Sequence, residues 1–567
     1  MSTTARRLWL LLPLWLLLAP RAESADSNFN GTWRLTALQP ERELVLGLLA
    51  IETRGGVVQA RILAASMMEP RDLLVQRVSA KGNQLRVDLE VNQQTVRLSA
   101  YAVRDEARPS RLLGSLEIRG RRDLVRLDKT EARDLDPTKI STPSPALEEM
   151  TKAMALPTAK EREAALRKIL ERNATQAGIA LPIALELLEL ALETSPAEAE
   201  LKARAEQAIK IAALHGREME MQVGQITAQI LLRGGKEPAL ALALVKQAEK
   251  LLDKQDSPAT QARILRTLIH AHRAANELAD LPALQARLTP LDQQLDDEYE
   301  KNLVPFPVNK YSRPADANRV VVLEMFTGTQ RPPNASADPS ITADIVFAAL
   351  KATYGPRDVV LLQHHLHIPE ANPLANPDTE QRALSYGINF TPAVFLNGRP
   401  QPNLGGSPLE ARGDYATLRE TINKQLSEST PIELTLTATR DQNRLHITAQ
   451  AKGLPEGEPK HRLVVMLVED RVRYVGTNGS RLHDHVVRAI PKLPDDVVHG
   501  GKPLDLTLDI AELRKKLADY LDDTAKSDPF PDEDRPLELA NLLVVLLVQN
   551  EKTQEILHAT LAPVTNK

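Results

Sequence analysis

From residue 85 to residue 100 apolar and polar side chains alternate. Leu85, Val87, Leu89 and Val91 are separated by Arg86, Asp88 and Glu90, and Val96, Leu98 and Ala100 repeat the pattern after Asn92-Gln93-Gln94. A period of two marks a strand with one wet face. Further runs of this kind fall at Thr32–Leu38, Leu44–Thr53, Val57–Leu63, Asp72–Val78, Leu112–Ile118 and Asp123–Leu127. About eight short strands at such spacing predict a small β-barrel over residues 29–130. The period then changes. Ile183, Leu187 and Leu190, and again Leu244, Ala248 and Leu251, recur at helical spacing. Ser195-Pro196 and Ser257-Pro258 supply an N-cap serine followed by a first-turn proline. Residues 145–302 are therefore expected to form an α-helical repeat array.

Val320–Phe326 is a continuous apolar run broken only by Glu324, as in a parallel strand buried on both faces. A loop at Thr327–Asn334 leads to a helix predicted over Ala335–Tyr354, a second strand at Asp358–Leu366, and a hairpin turn at Asn397-Gly398. Tyr415–Leu426 closes this α/β segment, residues 319–427, as a helix. Strand patterns return at Leu434–Thr439, Leu445–Ala451, Leu463–Glu469, Leu504–Leu508, Leu539–Gln549 and Leu557–Pro563. With a helix at Ile510–Asp523 and an acidic loop at Asp528–Pro536, residues 431–565 are expected to form an antiparallel β-sandwich. Proline-rich connectors at Asp136–Pro145 and Val304–Pro314 separate these regions. The predicted fold class is multidomain α+β.

The chain has 567 residues, beyond what one hydrophobic core serves. A net charge of -4 gives no basic field for nucleic acid and no acidic tail. Residues 1–24 read as a signal peptide: Arg6 and Arg7 precede the apolar run Leu8–Ala19, and Ala22-Glu23-Ser24 offers a cleavage site. The mature chain is then expected to be exported, to the periplasm, the cell surface or the medium, without a membrane span. It contains no cysteine, so no disulfide supports it.

The absence of cysteine acquires meaning from a resemblance. Gly387-Ile388-Asn389-Phe390-Thr391-Pro392-Ala393-Val394-Phe395-Leu396-Asn397-Gly398 resembles the cis-proline segment of thioredoxin-like proteins, and Pro339 stands where that family carries a kinking proline. Thr327-Gly328-Thr329-Gln330-Arg331-Pro332-Pro333-Asn334 is similar to the T-G-x-Q-C-P-P-C loop of exported members. The resemblance places Arg331 at the nucleophilic cysteine and Asn334 at the resolving one. Neither side chain exchanges disulfides, and Arg331 stays protonated at any physiological pH. The resemblance thus implies a degenerate, pseudo-enzyme site. Phe29-Asn30-Gly31-Thr32-Trp33 resembles the opening of lipocalin-like barrels, the helical region resembles a tetratricopeptide array, and Glu469–Arg488 resembles a segment of extracytoplasmic proteins that join a sandwich to a thioredoxin-like domain.

These features lead us to expect an exported, non-catalytic protein that binds proteins or extended peptides or acts as a scaffold in the cell envelope. Pro332, Pro333, Thr391 and Pro392 are the candidate peptide-binding residues. The alternative is a thiol–disulfide oxidoreductase relative that works only through a cysteine-bearing partner. No cofactor or metal is expected; His365 and His367, two apart on one strand, are the residues to test as ligands. His483, His485 and Arg488 are expected to order a long loop.

Overall fold

The computed structural model describes residues 29–66, 73–91, 94–103, 109–118, 121–194, 197–331, 339–402, 404–406, 410–455, 460–494, 497 and 502–567. The signal segment, Ser195-Pro196 and Pro332, Pro333 and Asn334 lie outside them. The chain is mixed α+β and divides into two compact units, residues 1–190 with 203–223, and 191–202 with 224–567.

In the first unit eight strands run antiparallel: β1 (Gly31–Leu38), β2 (Arg42–Arg54), β3 (Val57–Ala65), β4 (Leu73–Lys81), β5 (Gln84–Val91), β6 (Gln94–Ala102), β7 (Arg111–Ile118) and β8 (Arg121–Thr130). Their order is β3-β2-β1-β8-β7-β6-β5-β4, and a short strand, β9 (Ser141–Pro143), pairs with β2. Because β1 pairs with β8, the sheet curls into a near-closed barrel whose two unpaired edges are β3 and β4. The inward residues of the alternation, among them Trp33, Ile51, Leu85, Val87, Leu98 and Leu127, form its core. Trp33 donates its indole N–H to the Phe29 carbonyl at 2.8 Å, which satisfies its only buried polar group.

The helices are α1 (Leu147–Met154), α2 (Ala159–Arg172), α3 (Ala177–Thr194), α4 (Glu198–Ala213), α5 (Arg217–Arg233), α6 (Pro238–Lys250), α7 (Pro258–Ala274) and α8 (Leu281–Asn302). Within the first unit the start of α5 docks on the barrel through polar groups. Tyr101 donates its hydroxyl to Glu218 at 2.5 Å, and Gln222 exchanges two hydrogen bonds with the Arg122 backbone at 2.9 and 2.8 Å. Gly216 turns at φ 96°, and a Cβ there would stand 2.0 Å from the Tyr101 ring, so only glycine permits this approach. In the second unit Ser257 caps α7 by accepting from the Thr260 N–H, with Pro258 in the first turn, as its sequence predicts.

The rest of the second unit is organised by one long sheet. Its elements are β10 (Val321–Thr327), α9 (Pro339–Thr353), β11 (Val359–His365), α10 (Pro377–Tyr386), β12 (Ala393–Leu396), β13 (Arg399–Pro400), α11 (Ala411–Leu426), β14 (Glu433–Asp441), β15 (Arg444–Lys452), β16 (His461–Glu469), β17 (Val472–Arg473), β18 (Leu482–His483), β19 (Val486–Ala489), β20 (Leu504–Asp509), α12 (Ile510–Ser527), β21 (Leu542–Asn550), β22 (Ile556–Pro563) and β23 (Thr565–Asn566). Eight strands join in the order β13-β12-β10-β11-β19-β16-β21-β22. β10 and β11 are parallel, and β12 returns antiparallel to β10. Asn397 and Gly398 both take positive φ, 50° and 76°, in the turn before β13.

Expected separately, segments 319–427 and 431–565 share this sheet. The seam is narrow: Gln363 pairs with Val486, and the Gln363 N–H donates to the His485 carbonyl at 2.9 Å. A second sheet, β20-β15-β14-β23, faces the β16–β21 end across a common apolar core that includes Ile447, Leu445, Val465, Leu467, Val544 and Leu546. On β10 the alternation sorts side chains between two covered faces. Val321, Leu323 and Met325 pack with α9 and α11, while Val322 belongs to a second apolar cluster that includes Ile556 and Ala559 of β22. This double covering explains the unbroken apolar run.

Candidate functional site

The loop after β10 lies at the C-terminal end of two parallel strands, the customary place for chemistry in an α/β sheet. Thr327, Thr329 and Gln330 are buried there, and Arg331 is half-buried. What covers them is the chain's own hairpin between β17 and β18. The Asn478 N–H donates to the Thr329 carbonyl at 3.3 Å, and the Asn478 amide to the Gly328 carbonyl at 3.4 Å. Thr477 accepts from the Arg331 N–H at 2.9 Å and donates to the Gln330 side-chain oxygen at 2.9 Å. Gln330 in turn donates to the Tyr474 hydroxyl at 3.3 Å, and burial raises the Tyr474 pKa well above its ordinary value. Ser480 donates to Asp344 of α9 at 2.5 Å. Gly476 lies so close that a Cβ would stand 2.3 Å from the Thr329 carbonyl oxygen.

Arginines on either side of this hairpin hold it to α8. Arg473 and Arg481 each place Nε 2.6 Å from Asp296, and their terminal nitrogens lie 3.0 and 3.2 Å from Asp292. Arg471 pairs with Glu300 one turn further along. Asp292, Asp296 and Glu300 recur every four residues, so one helix face carries the whole acidic row.

The second half of the expected site is also packed. The Thr391–Pro392 peptide is cis, as is Ile368–Pro369. Thr391 donates its hydroxyl to the Ile368 carbonyl at 3.2 Å, and that carbonyl would meet a Cβ on Gly328 at 2.3 Å. Pro392 is buried and Thr391 half-buried, whereas Phe390 just before them is 49% exposed. Pro339 is the first residue of α9, so the helix is described from that proline rather than from Ala335.

The histidines are engaged one by one. His365 is fully buried; its ring nitrogens lie 3.3 Å from the Gln363 side-chain oxygen and 3.2 Å from the Asn372 amide, and burial lowers its pKa well below the usual range. His367 lies beyond the end of β11, with Nε2 2.9 Å from the Tyr520 hydroxyl and Nδ1 accepting from the Asn372 N–H. Among the described residues no group of three or more His, Cys, Asp or Glu is placed to hold a metal ion. His483 bonds the Tyr474 carbonyl at 3.0 Å, His485 the Leu361 carbonyl at 3.0 Å, and Arg488 both Glu469 and the Pro536 carbonyl. His483 ends β18 and Arg488 lies within β19, so these two hold strands rather than the long loop expected of them.

Sequence reasoning passed over a charged cluster at the heart of the sheet. Glu324 of β10 is fully buried. It accepts from Arg382 Nε at 2.9 Å, from Arg382 Nη2 at 3.0 Å and from the Tyr386 hydroxyl at 2.7 Å, with His364 Nε2 at 3.1 Å. Burial works against the carboxylate, but Arg382 and His364 outweigh it and hold its pKa below the ordinary range. The one signal available was a glutamate within an apolar strand. Arg382 stands in α10 without any such mark.

The described residues of the β10 loop carry no thiol; the Thr327 and Thr329 hydroxyls bond within the loop, and the Gln330 amide is committed to the hairpin above it. The arrangement holds chain against chain. No family model matches the sequence, and no curated protein matches it. Among solved structures, HBP35 of Porphyromonas gingivalis is similar at a TM-score of 0.29, with 15% identity over 44% of this chain and 77% of that one, a likeness too slight to carry any argument.

Proposed function

We propose that this chain is an exported, non-catalytic thioredoxin-like protein that serves as a protein-binding scaffold in the cell envelope. The observation that carries the reading is the occupied loop. At the position of the family's redox centre the chain presents Arg331, and the residues before it are covered by Thr477 and Asn478 of its own C-terminal segment. The frame around the loop supports the resemblance: parallel β10 and β11 with α9 between them in sequence, then the antiparallel return of β12. The N-terminal Arg6-Arg7 and apolar run support export. Among the described residues no helix is long and apolar enough to cross a membrane. The tetratricopeptide-like helices α1–α8 and the exposed Phe390 are the surfaces offered to partners.

The deciding experiment restores the chemistry that the reading says was lost. The paired substitution Arg331→Cys and Asn334→Cys is expected to form an internal disulfide in air, seen as two masked thiols and a loss of two mass units. The unaltered chain is expected to give no turnover in an insulin-reduction assay. Two persistently free thiols in the variant would sink the thioredoxin-like frame, and turnover by the unaltered chain would sink the non-catalytic reading.

A further inference from the structure

On the wall of the barrel, Arg34, Asp128 and Arg111 stand abreast on three neighbouring strands, because Arg34 pairs with Asp128 across β1 and β8 and Asp128 pairs with Arg111 across β8 and β7. Arg126 lies two residues before Asp128 on the same face of β8. The Asp128 carboxylate receives Arg111 Nε at 2.7 Å on one oxygen and Arg126 Nε at 2.7 Å on the other, and Arg34 Nη2 stands 3.9 Å away. Arg126 directs its remaining nitrogens to Glu43, at 2.9 and 2.7 Å. Lys129 lies over the Trp33 ring, 5.7 Å from its centroid. Together with Ser110, Arg34, Arg111, Arg126, Asp128 and Lys129 line an open depression of about 590 Å³.

The cluster is overcharged for a structural purpose. Three arginines face two carboxylates, and Arg126 alone would satisfy both acids. Arg34 and Arg111 side chains are 47% and 56% exposed, and the terminal nitrogens of Arg111 have no hydrogen-bond partner among the described residues. Gathering like charges around one depression raises the local positive potential and costs free energy that a bound anion offsets. Guanidinium groups with open in-plane donors match the tetrahedral oxygens of a phosphate better than any neutral ligand. Burial alone would raise the Asp128 pKa, but the bonds from Arg111 and Arg126 prevail and keep it low, so the cluster stays fully ionised.

We propose that this depression is a binding site for a phosphate group, with Arg34 and Arg111 as its donors and Asp128 as the organiser of Arg111 and Arg126. A phosphorylated small molecule and an anionic lipid headgroup present the same chemistry, and the test separates them.

Isothermal titration of the full chain at low ionic strength would use inorganic phosphate, glycerol 3-phosphate and vesicles containing phosphatidylglycerol. Binding of phosphate is expected, weakened about tenfold or more in the Arg34→Gln/Arg111→Gln double variant, a loss typical of charge-assisted bonds to an anion. The melting temperature should hardly move, because both side chains are half exposed. Stronger binding of glycerol 3-phosphate than of vesicles assigns a soluble phosphoester; the reverse assigns a lipid surface. The proposal is overturned if none of the three probes binds, or if the double variant binds phosphate as the unaltered chain does.

Discussion

Arg382 grips Glu324 through two nitrogens, at 2.9 and 3.0 Å, with both side chains buried between α10 and the sheet. A pair so placed is costly to assemble and costlier to break, since the charge left behind has no water. Glu324→Ala is expected to destabilise the chain by about 3–5 kcal/mol. Glu324→Leu combined with Arg382→Met should recover most of that loss, because neither charge then stands alone. Urea denaturation of the two variants distinguishes this from a network whose value lies in the ion pair itself; equal losses in both would contradict it.

The hairpin over the β10 loop should be held mainly by the acidic face of α8. Replacing Asp292 and Asp296 together by Asn removes the partners of Arg473 and Arg481. Amide hydrogen exchange at residues 327–331 and 474–481 is expected to quicken about tenfold or more, with little change elsewhere. Unchanged protection would mean that Thr477, Asn478 and Ser480 hold the hairpin without help.

Gly476→Ala tests the same contact from the steric side. A methyl group 2.3 Å from the Thr329 carbonyl oxygen cannot be accommodated without movement of backbone. A loss of about 1–3 kcal/mol in stability is expected from thermal melting, the usual cost of overpacking. A neutral result would show that the hairpin yields freely.

Acid should weaken the second unit through its buried histidines, against the opposite effect of Asp532, whose carboxyl burial pushes up to about 7. Burial pushes the His483 and His558 pKa values down to about 4, and that of His365 lower than usual as well. An unfolded histidine binds its proton near pH 6.5, so below that pH the unfolded chain takes up more protons than the folded one. The histidine contribution is therefore complete above pH 6.5 and declines as pH falls toward 4, by up to about 3 kcal/mol for a fully buried histidine such as His483. Glu324 acts only at lower pH, because its folded pKa is depressed: its contribution persists above the ordinary carboxylate range and is lost in stronger acid. Melting temperatures measured from pH 7.5 to 4.5 should fall, and His483→Gln should flatten the slope. A profile level down to pH 5 would refute the assignment.

The parts of this fold legible in sequence were those set by local period. Leu85–Val91 and Val96–Ala100 are neighbouring strands, β5 and β6, because alternation places one face inward whatever its partner. Ser257-Pro258 marked a helix start because an N-cap depends on four adjacent residues. The sharing of one sheet by β11 and β19 was hidden, since a parallel seam of one residue pair has no local signature. The covering of Thr329 and Gln330 was hidden for the same reason. Thr477 and Asn478 read as turn residues, and nothing near them says which loop they will meet. Pro392 and Thr391 were legible as a cis-proline segment, but not as residues already packed by their own chain.

The seam at Gln363 also sets an order of events. The His485 ring that bonds the Leu361 carbonyl lies 124 residues later in the chain. A ribosome that has released β10 to β13 has therefore made only half a sheet, with the outer edge of β11 bare. That edge is apolar on both faces and open to any other strand until β19, β16 and β21 arrive. A fragment ending near residue 428 would carry that exposed edge permanently.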